Sequence, residues 1–139
     1  MISVLSTTSK YILQPSLISM HRQSMAWLSA TELWKKELQF FQKLLDLNAA
    51  RFESKDDKIR QDHFQNLILY YRVEVIEEIR KSLKSHEASL AQMLQKENES
   101  DVQYFSDHQS LIDKAEAFEN SFSEFKQDFY FFIEKGLGQ

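Results

Sequence analysis

Between Ser16 and Lys135 the chain contains no proline, no glycine and no cysteine. Pro15 is the only proline, and Gly136 and Gly138 stand at the far end. A proline costs about 3 kcal/mol in a helix interior and a glycine about 1 kcal/mol, and tight turns usually recruit one or the other. A globular stretch of this length with neither is expected to fold as a few very long helices.

Two short polar stretches divide the run: Glu53-Ser54-Lys55-Asp56-Asp57 and Lys96-Glu97-Asn98-Glu99-Ser100-Asp101. Each ends in residues suited to capping the helix that follows, and Ser100 stands three before Gln103, the spacing of a capping box. Helices are therefore expected at about 20–53, 57–96 and 101–135, each about 50 Å long at 1.5 Å per residue. Apolar spacing agrees. Trp27, Thr31, Trp34, Leu38, Phe41, Leu45, Asn48 and Phe52 alternate steps of four and three, as do His108, Leu111, Ala115, Phe118, Phe122, Phe125, Phe129 and Phe132. Such heptad seams pack helices with a left-handed supercoil. The middle helix reads Phe64, Ile68, Tyr71, Val75, Ile79, Leu83, His86, Leu90, Met93. Its consecutive steps of four, through Tyr71, Val75 and Ile79, form a stutter that locally unwinds the supercoil. Short connections make successive helices antiparallel. The expected fold is all-α, a long antiparallel up-down-up three-helix bundle over residues 20–135. A Ser/Thr-rich leader, 1–19, is partly ordered or processed and able to pack as a short fourth element; 136–139 form a tail.

At 139 residues one domain is the natural expectation. No run approaches the ~20 apolar residues that span a bilayer, and the leader lacks the basic start of a signal peptide. The absence of cysteine removes disulfides and thiol chemistry together and suits a reducing, cytoplasmic setting. Net charge is −4, but residues 97–139 carry three Lys/Arg against ten Asp/Glu. No concentrated basic face marks a nucleic-acid binder or a membrane-surface helix. An acidic last helix instead favours docking on the more basic remainder.

No phosphate loop, dinucleotide fingerprint, nucleophile elbow or HExxH occurs, and no histidine has a glutamate three positions before it, as ferritin-like metal sites require. No catalytic set is visible, and an enzyme is not expected. Two constellations remain. His86 and His108 occupy seam positions that the second hairpin brings into one layer, with His21 about one turn from that level. Converging imidazoles can bind a divalent transition metal, so a metal- or small-ligand-binding bundle is the alternative reading. The second constellation is surplus apolar surface. Leu33, Phe40 and Leu47 recur in strict sevens beside the main seam of the first helix, and the third ends in an apolar run that includes Tyr130 and Phe131. Large exposed apolar patches mark interaction sites, and closed twofold dimers are the commonest oligomers. The leading expectation is a non-enzymatic protein–protein interaction or structural module, a homodimer or the partner of another helical protein.

Overall fold

The computed structural model describes residues 15–95 and 102–137, and among these the chain is all-α with no strand. Helix α1 covers Pro15–Asn48 and runs into a 3-10 turn at Ala49–Arg51; α2 covers Lys55–Tyr70, a π turn covers Tyr71–Val75, α3 covers Ile76–Gln95 and α4 covers Val102–Leu137. Because α2, the π turn and α3 are continuous, the described residues form three long helical stretches.

The ends of these stretches follow local chemistry. The first helix is described from Pro15, five residues before the expected position 20. Residues 1–14 of the expected leader, and the Ser100 capping box, lie outside the described residues. At the start of α2 the Ser54 hydroxyl oxygen accepts the Asp57 N–H at 3.0 Å, and Asp56 and Asp57 place negative charge on the exposed amides of the first turn. The last helix continues through Gly136 to Leu137 instead of stopping at 135. Glycine is tolerated there because Phe52 lies against it: a Cβ on Gly136 would sit 2.8 Å from the Phe52 ring. Phe52 in turn stacks on Phe132 with centroids 4.2 Å apart.

The π turn sits at the stutter. The Ile76 N–H bonds back five residues to the Tyr71 carbonyl. Ile76 is fully buried, while Val75 is only half-buried. Steps from Ile68 onward are thus three, five, three, four. One inserted residue absorbs the phase error that two steps of four would leave, and the inward face resumes with Ile79 and Leu83, both fully buried.

Side-chain pairs give the relative course of the helices. His21 meets Glu87, Lys35 meets Glu77 and Gln42 meets Gln65, so numbers fall along one helix as they rise along the other. His86 meets His108, and Lys114 meets Glu78, again in opposite order. Between α1 and α4 the order is the same: Gln23 with His108, Glu37 with Lys126, Arg51 with the Gly136 carbonyl. From Trp34 to Ile133 the interior is largely aromatic. Phe118, Phe122, Phe125 and Phe129 stack along α4 at 5.5–6.0 Å, with Trp34, Phe41 and Phe64 packed on them. Toward the other end, Leu17, Leu90, Met93 and Tyr104 form a separate apolar cluster. Among the described residues no helix is long and apolar enough to cross a membrane.

Candidate functional site

The polar layer lies between these two clusters. His21, Ser24, His86 and His108 are all buried there. His108 Nε2 is 2.8 Å from Gln23 Oε1, and a carbonyl oxygen only accepts, so the N–H belongs to Nε2. In a neutral ring this leaves the His108 Nδ1 lone pair free to accept from His86 Nε2–H, which lies 2.8 Å away. Tyr104 stacks flat on His86 at 4.2 Å and 6°. Burial, reinforced by the neighbouring His108 and opposed by Asp107, pushes His86 down to about 4. Burial also lowers His108 and raises the Tyr104 phenol. Both imidazoles are therefore neutral at physiological pH, and each spends a nitrogen on the other.

His21 does not join that pair. Its Nδ1–H donates to Glu87 Oε2 at 2.7 Å. Three imidazoles do not converge as a metal requires: two are bonded to each other and the third is turned to a carboxylate. Among the described residues no group of three or more His, Cys, Asp or Glu side chains is placed to hold a metal ion. The open groove beside His86, lined by Ser82, Ser85, Ser89 and Ser110, adds hydroxyls but no such ligand set.

The surplus apolar residues are exposed. Leu33, Phe40 and Leu47 are 58, 55 and 79 % exposed on α1, one helical face round from the buried Trp34, Leu38, Phe41 and Leu45. Tyr130 is 45 % exposed and packs edge-on against Phe41 at 5.4 Å; Phe40 flanks the same ring at 6.3 Å. Phe40 and Tyr130 thus stand as two ridges over Phe41, where α1 meets α4. Between these helices, Lys126 reaches Glu37 at 3.2 Å. Phe131 is 70 % exposed, but one residue on from Tyr130 it is turned about 100° round the helix, away from this groove.

Sequence reasoning missed several participants. Gln23 and Glu87 carry no periodic signal, being polar residues off the seam, and only tertiary contact gives them a role. The donation of Arg80 to the fully buried Thr31 hydroxyl at 3.0 Å is another such contact, made beside its ion pair with Glu32. Comparison with protein-family models, curated proteins and solved structures finds no match.

Proposed function

We propose that this chain is a non-enzymatic protein–protein interaction module, an up-down-up antiparallel three-helix bundle whose α1 outer face docks on another helical surface. The opposite and parallel orders of the side-chain pairs support that arrangement. The cytoplasmic setting rests on the cysteine-free sequence. One observation carries the interaction reading. Leu33, Phe40 and Leu47 are more than half exposed although the bundle's own seam beside them is fully buried. Burying a large apolar side chain contributes about 1.5–3 kcal/mol, so three at heptad spacing form a docking stripe that intrachain packing leaves unused.

A photo-reactive phenylalanine analogue at position 40 tests the reading in cells. It should capture protein adducts, whereas the same group at the exposed Ser121, on another face, should not. Equal capture at both positions, or none at position 40, overturns the proposal.

A further inference from the structure

Resting on that reading, we infer that the partner is a second copy of this chain, paired through the α1/α4 groove about a twofold axis parallel to the bundle. The groove is self-complementary. Its α1 ridge carries Leu33, Lys36, Phe40, Lys43 and Leu47, all exposed and spaced on one helical face. Its α4 ridge carries Tyr130, Glu134 and Leu137, also exposed and spaced by four and three. Neither Lys43 nor Glu134 forms an ion pair with another described residue.

Within one chain, facing residues of α1 and α4 differ in number by 84 to 89, as Trp34 with Phe118, Gln23 with His108, Phe41 with Phe129 and Glu37 with Lys126 show. An axis parallel to the helices preserves each residue's level, so it lays α1 of one copy against α4 of the other at nearly the same offset. Phe40 then meets Tyr130 of the second copy, Lys43 meets Glu134, and Leu47 meets Leu137, each contact occurring twice. A closed isologous dimer requires such mutual complementarity.

The test uses the full chain in sedimentation and light scattering at high micromolar concentration, with zero-length carbodiimide crosslinking between isotopically light and heavy copies. A dimer, with a Lys43–Glu134 crosslink joining light to heavy chains, is expected. Lys43→Glu and Glu134→Lys should each weaken the dimer by about tenfold or more, and the double charge swap should restore it. Circular dichroism confirms that each variant remains folded, since both sites are exposed. A wild-type monomer, or a dimer indifferent to the single reversals, overturns the inference. If position 40 still captures other proteins while the chain is monomeric, the dimer is refuted and the interaction-module reading stands.

Discussion

Two regions of this helical array bury side chains of opposite character. One end is filled by rings with no polar atoms, Phe41, Phe64, Phe122, Phe129 and Phe132, whose contacts need only shape. A layer nearer the opposite end buries His21, His86 and His108, which bond to one another, to the exposed Gln23 and to the half-buried Glu87, so each demands a specific partner. Apolar packing is tolerant of orientation and intolerant of lost volume. A hydrogen-bonded layer is the reverse: it contributes little net free energy when satisfied and costs much when half-satisfied. The aromatic end therefore sets stability, and the polar layer sets register, because only one sliding position brings His86 to His108 and His108 to Gln23.

The largest test of that contrast is truncation at the aromatic end. Phe129 is fully buried and touches Phe41, Phe64 and Phe125. Phe129→Ala should cost about 3–5 kcal/mol in urea unfolding. A loss below 1 kcal/mol would mean that the aromatic end is loosely packed and that the division of labour is wrong.

Acid should strain the polar layer. The folded state holds His86 at about 4, well below the usual imidazole value of 6.5. Between these values the unfolded chain binds a proton that the native chain refuses, so stability falls as pH drops from 6.5 towards 4 and is unaffected above 6.5. The full shift corresponds to up to about 3 kcal/mol at 1.36 kcal/mol per unit. The groups facing His86 are His108, Tyr104 and Asp107 on α4, with Glu87 on α3 bonded to His21 of α1. Replacing the pair together, His86→Leu with His108→Leu, should flatten this pH slope while changing stability at pH 7 by less than about 1 kcal/mol. An unchanged slope in the double variant would place the acid sensitivity elsewhere.

A smaller effect sharpens the contrast at the aromatic end. Gly136→Ala improves helix propensity by about 1 kcal/mol, yet its Cβ would lie 2.8 Å from the Phe52 ring, which is buried and stacked on Phe132. Overpacking of this kind typically costs about 1–3 kcal/mol, so a net loss of about 1 kcal/mol is expected by thermal melting. A gain would show that Phe52 moves aside freely.

The sequence by itself determined the helical class and much of the inward faces, because a chain without proline or glycine over this span has no cheap way to stop a helix and heptad spacing selects one side of each. It also marked the irregularity: two steps of four between Tyr71 and Ile79 cannot stay in phase with a straight helix. The form of the repair, a π turn that buries Ile76 and half-exposes Val75, was decided by the packing on either side. The passage of α4 through Gly136 was likewise decided by its surroundings, since a glycine can end a helix or admit a ring. Of the candidate site, the exposed stripe of Leu33, Phe40 and Leu47 was legible as a repeat in excess of the seam, and the His86–His108 meeting as a consequence of hairpin register. Gln23 and Glu87 were not, and neither was the turning of His21 to Glu87 or the reach of Arg80 to Thr31. A hydrogen bond between distant residues leaves no periodic trace; it exists only once helices of known length and phase bring a donor within reach of an acceptor.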